Sequence, residues 1–303
     1  MFDPLAMLSA IKDVKVDARV PLSRFTTWKV GGPAAFMVDV CTERSLKEVL
    51  AAVSELGLPM LVLGNGSNVL FSDDGFSGAV VRLSGELALV EVGALEVVSG
   101  AGAALAMLVA EAGRVGLSGL EFALGIPGTV GGAVMSNAGA YSGSCAAVLG
   151  RVETLTAEGD ARTYEEFVDA YRAPLVPRAD VVTAVTFVLA NAPAHEIKDR
   201  MEWVRVDRKQ TQPWGKATAG SVFKNPPRES AGMLIDQCGL KGKSVGAARI
   251  SEVHANFIVN EGGATAADIR ALMRLAASEV KERFGVVLEP EVRLIGFEGE
   301  DDR

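Results

Sequence analysis

Near the middle of the chain runs Leu124-Gly-Ile-Pro-Gly-Thr-Val-Gly-Gly-Ala-Val-Met-Ser-Asn-Ala-Gly-Ala-Tyr141, and no other stretch restricts the fold as much. Five glycines fall inside it: Gly125, Gly128, Gly131, Gly132 and Gly139. Glycine admits positive φ and lets another surface come close. Loops built this way present bare backbone N–H groups as a nest for anions, diphosphates above all. Pro127 stiffens the loop by fixing one φ. Thr129, Ser136 and Asn137 add side-chain hydrogen-bonding groups. One or two glycines would read as tight turns; five in so short a run read as a nucleotide-phosphate cradle. The stretch lacks the Gly-Lys-Ser/Thr of a P-loop and the G-x-G-x-x-G of a Rossmann turn, so neither of those folds is expected.

A second cradle is Gly64-Asn65-Gly66-Ser67-Asn68. It follows a buried strand over Pro59–Leu63, which closes a β-α-β unit begun by Ala35–Val40 and a helix over Glu43–Leu56. A loop at the carboxyl end of a strand is where ligands bind in α/β units. Extended structure is also expected over Phe25–Val30, and short strands between Ala79 and Gly100. A helix follows over Ala103–Arg114, then a hairpin over Arg151–Thr156 and Gly159–Thr163, and a strand over Val181–Leu189. Asn191–His195 reads as a linker. Ile197, Met201, Val204 and Arg208 share a helix face. Ser230–Cys238 is helical with Gly239 at its end, and His254–Asn260 alternates as a strand. Thr265-x-x-Asp268 opens a helix that runs to Phe284 and stops at Gly285. Val286–Leu288 and Val292–Ile295 are the last strands, and Glu298–Arg303 is expected to fray.

The 303 residues suffice for two or three domains. The most apolar window, Val97–Ala110, is too short to span a bilayer and is closed by Glu96 and Glu111. Met1–Ala10 has an early Asp and no basic start, unlike a signal peptide. Cys41, Cys145 and Cys238 are scattered, and His195 and His254 are the only histidines, so neither a metal site nor a disulfide framework is expected. These features predict a cytoplasmic protein, without membrane insertion, and a monomer is the favoured state. A net charge of −8 argues against nucleic-acid binding. Yet Lys198–Arg249 holds eleven Lys and Arg against five Asp and Glu, which suggests a local anion pocket. For Lys198–Lys209 a solvated helix face is the competing reading.

Taken in order, seven motifs resemble the UDP-N-acetylenolpyruvoylglucosamine reductase family, flavoenzymes of peptidoglycan precursor synthesis. They are Gly64–Asn68, Gly125-Ile126-Pro127-Gly128-Thr129-Val130-Gly131-Gly132, Asn137-Ala138-Gly139-Ala140-Tyr141, Tyr171-Arg172, Ala219–Pro226, His254–Asn260 and Glu289–Arg293. The length resembles the shorter, type II form. The resemblance implies an α+β chain: an FAD-binding fold of the vanillyl-alcohol-oxidase (PCMH) type with a C-terminal α/β substrate domain. The expected bounds are an N-terminal segment over 1–27, an FAD domain over 28–192 (subdomains 28–78 and 79–192), a substrate domain over 196–297 and a tail over 298–303. The residues of the first three motifs, Val130 and Ala138 excepted, would hold FAD. In this family NADPH reduces FAD, the flavin passes hydride to the enolpyruvyl β-carbon of UDP-N-acetylglucosamine enolpyruvate, and an acid protonates the α-carbon.

The residue types suit that chemistry. Hydride addition beside a carboxylate builds enolate charge, which needs a cation close by; by resemblance this is Arg172. The family's proton donor falls on Ser221, a weak acid whose alkoxide needs support from Lys224 or neighbouring N–H groups. Glu291 matches the acidic partner that polarises the enol system or relays the proton. Lys224, Asn225, Arg208, Gln212 and His254 are candidates for the UDP-sugar. Two positions depart from the family pattern. Ala173-Pro174 follows Tyr171-Arg172 where a serine is usual, and Ser142 follows Tyr141 where a glycine is usual. With no histidine in the expected FAD domain, non-covalent FAD is expected. A flavin oxidase of another alcohol or sugar, or a nucleotide-sugar binding module without activity, are the alternatives. Neither needs Arg172, Ser221 and Glu291 together.

Overall fold

The computed structural model describes residues 3–297, so the tail at 298–303 lies outside the described residues. Its helices are α1 Pro4–Ser9, α2 Glu43–Glu55, α3 Leu105–Arg114, α4 Val130–Ser136, α5 Ala194–Thr211, α6 Ala231–Gln237 and α7 Ala266–Phe284. The chain divides into two compact units. One comprises Met1–Arg19, Ala35–Asn65 and Ser77–Val206, the other Val20–Ala34, Gly66–Phe76 and Asp207–Arg303. The division falls inside the second cradle and inside α5.

The first unit contains two larger sheets. One is ordered Val14–Pro21, Pro33–Val40, Phe76–Leu83, Met60–Val62, with the last two parallel. Against it α2 buries Leu46, Val49, Leu50 and Val53, the periodic positions of its sequence, in a core shared with Val38, Val40, Ala79 and Val81. Each such side chain stabilises the fold by about 1.5–3 kcal/mol, an upper estimate. The Thr42 hydroxyl accepts from Ser45 N (3.1 Å) to start α2. The other sheet is antiparallel, ordered Ala161–Tyr164, Leu149–Leu155, Val181–Val188, Glu96–Gly100, Val90–Val92. The expected hairpin is its outer pair, with Val152 opposite Tyr164. Leu108 of α3 and Val130 and Val134 of α4 join Val152, Val185 and Phe187 in a second core.

In the second unit, α6 and α7 share a core with the three-stranded sheet Ser244–Val245, Ala248–Ile250, Ile258–Asn260. Val69–Phe71 pairs in parallel with Arg293–Ile295. The start and stop of α7 follow its sequence signals. Thr265 and Asp268 form a reciprocal capping box, and Gly285 closes the helix at φ 69°.

Four expectations fail, each for a tertiary reason. Phe25–Val30 is an irregular turn, not a strand: Lys29 has φ 61° and donates to Thr26 O (3.2 Å). The indole of fully buried Trp28 needs an acceptor and finds Ile258 O (2.7 Å), while Asn260 Nδ2 donates to Trp28 O (2.8 Å). These remote bonds replace a ladder. Asn191–His195 is no linker, because Ala190–Asn191 pairs with Leu117–Ser118 and α5 begins at Ala194. Of His254–Asn260 only Ile258–Asn260 is strand; Phe257 N turns back to His254 O (3.0 Å). Val286–Leu288 joins no strand, burying Leu288 and leaving Val287 69% exposed.

Candidate functional site

In the first unit the Met60–Val62 strand delivers Gly64 and Asn65 beside the loop that precedes α4. A Cβ on Gly64 would lie 2.3 Å from Thr129 Oγ1, and Asn65 Nδ2 donates to Gly128 O (3.2 Å). The two glycine-rich stretches are therefore neighbours there. Their glycines differ in role. Val130 N and Gly131 N donate to Ala103 O and Ala101 O (2.9 and 2.8 Å), and a Cβ on Gly131 would meet Ala101 Cβ at 3.0 Å. Gly131 thus serves close packing. Gly132 N donates to the Thr129 cap (3.4 Å). The start of α4 is consumed internally. By contrast, the N–H groups of Asn65, Gly125, Gly128 and Thr129 meet no protein acceptor among the described residues. The same holds for Gly66, Ser67 and Asn68, which belong to the second unit. In the first unit, uncommitted backbone donors with no Cβ at Gly125 and Gly128, and none at the adjoining Gly64, fit a diphosphate.

Elsewhere in this stretch Ile126 lies partly buried against the second core and Pro127 is exposed. Gly139-Ala140 pairs with Gly143-Ser144, and Tyr141 meets Trp203 edge-on at 5.0 Å. Ser142 takes φ 62°, so the position keeps the left-handed backbone that a glycine would adopt without strain.

Asn137 sits at the end of α4, 3% exposed and left-handed (φ 39°). Its side chain is spent on protein partners. Nδ2 donates to Asp169 Oδ1 (2.7 Å) and Ala170 O (3.0 Å), and Oδ1 accepts from Ala146 N (3.0 Å). Its carbonyl accepts from Arg172 Nη1 (3.4 Å), and the guanidinium lies 5.5 Å from the Tyr171 ring centre.

In the second unit Ser221 and Glu291 lie on paired backbone. Glu291 N donates to Val222 O (2.8 Å) and Lys224 N to Glu289 O (2.9 Å). Asn256, a residue that sequence reasoning passed over, secures the other side. Its carbonyl accepts from Val222 N (2.8 Å), its Oδ1 from Phe223 N (3.0 Å), and its Nδ2 donates to Phe223 O (2.8 Å). A buried Asn must find partners for its whole amide, and an Asn amid the apolar residues of His254–Val259 was the available signal. Asn68 Nδ2 donates to Glu291 O (3.2 Å). Arg172 is in the first unit; Ser221 and Glu291 are in the second.

The other candidates are all in the second unit. Lys224 Nζ is paired with Glu289 (3.4 Å), Asn225 Oδ1 caps α6 at Ala231 N (3.0 Å), and buried Arg208 donates to Gln212 Oε1 (3.1 Å). His254 Nδ1 accepts from Asn256 N (3.2 Å), which puts the proton of the neutral ring on Nε2. Burial first, and the Lys241 charge second, hold its pKa below the ordinary value. The folded state then resists protonation, so stability is full above the ordinary histidine range and is lost as pH falls below about 6.5. His254→Gln is expected to flatten this acid-side loss; denaturation midpoints from pH 5 to 7 that fall equally in both proteins would exclude it.

Residues 34–164 match the family model of an FAD binding domain, and residues 212–295 that of the C-terminal domain of UDP-N-acetylenolpyruvoylglucosamine reductase. A UDP-N-acetylenolpyruvoylglucosamine reductase of Halalkalibacterium halodurans is 40% identical over 292 residues, covering 95% of this chain and 97% of the relative. One from Anaeromyxobacter sp. is 44% identical, covering 93% and 89%. The crystal structure of the enzyme (MurB) from Thermus caldophilus superposes with a TM-score of 0.82 at 43% identity, over 93% of this chain and 99% of that one. A berberine bridge enzyme variant, a reticuline dehydrogenase, shares the fold alone, with a TM-score of 0.50 at 12% identity over 63% of this chain and 44% of that one. The architecture is the expected α+β one: an FAD-binding fold of the PCMH type with a C-terminal domain.

Proposed function

The chain belongs to the UDP-N-acetylenolpyruvoylglucosamine reductase family of oxidoreductases, and from that premise we propose that it uses NADPH to reduce UDP-N-acetylglucosamine enolpyruvate to UDP-N-acetylmuramate. The reaction would take place in the cytoplasm, as a step of peptidoglycan precursor synthesis. The observation that carries the reading is the backbone pairing of the Ser221-Val222 segment with Glu291 (2.8 Å), inside the region matched by the reductase C-terminal model. It supports the reading by setting Ser221, the proposed proton donor, and Glu291 on neighbouring backbone from stretches 70 residues apart.

The FAD diphosphate would be held by the uncommitted N–H groups of Asn65–Asn68, Gly125, Gly128 and Thr129. Bound FAD, reduced by NADPH, supplies hydride to the enolpyruvyl β-carbon. Arg172, always charged, stabilises the negative charge that develops on the substrate carboxylate. The Ser221 hydroxyl donates its proton to the α-carbon. Glu291 polarises the enol system or returns a proton to Ser221. Lys224, Asn225, Arg208, Gln212 and His254 contact the UDP-sugar, with the flavin domain over 28–192 and the substrate domain over 196–297.

The FAD is non-covalent. His195 and His254 both lie beyond residue 192. Burial pushes the Cys145 thiol up to about 12, which keeps it from acting as a nucleophile. Cys41 Sγ is hydrogen-bonded to Ser84 Oγ (3.4 Å). Purified protein should be yellow, and acid should release the chromophore into the supernatant. NADPH oxidation that requires UDP-N-acetylglucosamine enolpyruvate is the expected result. Oxygen-dependent turnover without that substrate would indicate an oxidase instead, and a colourless, inactive protein a binding module.

A further inference from the structure

Between the strands Ala161–Tyr164 and Val181–Val188 runs a segment of sixteen residues with neither helix nor strand. Loops of this length inside a compact domain commonly carry function. This one carries Arg172 at φ 53°, a backbone region that costs an arginine about 1–2 kcal/mol. Such a conformation persists only where its surroundings impose it. The residues after Arg172, Ala173 and Pro174, have no side-chain donor or acceptor to do so.

The restraint comes from the other side of the turn. Asp169 Oδ1 accepts from Asn137 Nδ2 (2.7 Å), and Asp169 Oδ2 accepts from Ser144 Oγ (2.9 Å). Bonds to a carboxylate are stronger than neutral ones. Asn137 Nδ2 also reaches Ala170 O (3.0 Å), and Ala173 N donates to Ala170 O (3.2 Å), closing the turn around Arg172. Arg172 Nη1 then donates to the carbonyl of the same Asn137 (3.4 Å). Asn137 and Ser144 are both anchored in turn, through Ala146 N (3.0 Å) and Ala147 N (3.3 Å). Asp169 itself is exposed, so it fills no core.

We propose that Asp169 is a positioning residue for Arg172: its carboxylate, bridging Asn137 and Ser144, holds the left-handed turn that presents the guanidinium, in place of the serine usual after the Tyr-Arg pair. This rests on Arg172 acting on the substrate's developing charge.

The test uses the full-length, FAD-loaded protein and follows the two half-reactions separately. Asp169→Ala should leave flavin reduction by NADPH unchanged and slow reoxidation by the enolpyruvyl substrate by roughly 10- to 100-fold, the scale of a small misplacement of a reacting group. Asp169→Asn, which keeps one acceptor, should recover part of the rate, and Ser144→Ala should show a smaller loss. Trypsin should cut after Arg172 faster in Asp169→Ala than in wild type, at an unchanged melting temperature. In an Arg172→Ala background, Asp169→Ala should slow nothing further. Wild-type reoxidation in Asp169→Ala beside slow reoxidation in Arg172→Ala would overturn the positioning role alone. Wild-type reoxidation in Arg172→Ala would overturn the reading beneath it. Equal slowing of both half-reactions with a lowered melting temperature would reduce Asp169 to a structural residue.

Discussion

Replacing Ser221 with alanine is expected to leave reduction of the enzyme by NADPH intact and to slow reoxidation by UDP-N-acetylglucosamine enolpyruvate by roughly 10²–10⁴-fold, the usual contribution of a positioned general acid. The asymmetry is what makes the result diagnostic. Only the second half-reaction needs a proton at the substrate α-carbon. The substitution should not disturb the surroundings, because the bonds that place this segment are main-chain ones: Val222 N to Asn256 O and Glu291 N to Val222 O, both 2.8 Å. Rapid-mixing measurements of flavin absorbance report both steps in one preparation. Equal reoxidation rates in variant and wild type would remove Ser221 from the role.

Gly66→Ala should cost more of the protein than any other single-methyl change in the two cradles. Gly66 has φ 59°, where an L side chain is strained by about 1–2 kcal/mol. Its added Cβ would also lie 2.2 Å from Phe25 O and 2.7 Å from Thr26 Cα. Both are backbone atoms that no rotamer change can move, and overpacking of this kind adds about 1–3 kcal/mol. The loop is also bonded to the segment it would strike: Thr27 N donates to Gly66 O (3.1 Å). A fall in melting temperature of roughly 4–20 °C is expected for about 2–5 kcal/mol, with loss of bound flavin. Gly239→Ala is the control, since Gly239 shares the positive φ (73°) but a Cβ there meets nothing within 4 Å. A Gly66→Ala protein as stable and as yellow as wild type would refute the prediction.

The candidate site was legible as motifs and much less as an arrangement. The two cradles, Arg172, Ser221 and Glu291 could be named because each sits in a short run of distinctive residues. Asp169 sits in no such run, and Asn256, although inside the His254–Asn260 motif, is not marked out from its neighbours there. Asp169 looks like any surface carboxylate until Asn137 and Ser144, 32 and 25 residues away, are seen to bond it. Asn256 matters because it bonds Phe223 through both ends of its amide, 33 residues away. Gly131, through its N–H, and Asn137, through its side chain, both expected at a cofactor, are bonded to protein partners, a feature that rests on which groups lie opposite.

The same division runs through the fold. Where neighbours three or four positions apart decide the outcome, the amino-acid order was sufficient. The apolar stripe of α2, the capping box of Thr265 and Asp268, and the stop at Gly285 all follow from local chemistry. Phe25–Val30 has the composition of a strand, yet the burial of Trp28 and its bond to a carbonyl 230 residues away turn it into an irregular loop. Val286–Leu288 has β-branched residues and no ladder to join. Local propensity is worth tenths of a kcal/mol per residue, whereas burying a tryptophan or leaving its N–H unsatisfied is worth several times that. Long-range satisfaction of buried polar groups therefore overrides local preference wherever the two disagree, and only the folded chain reveals where they do.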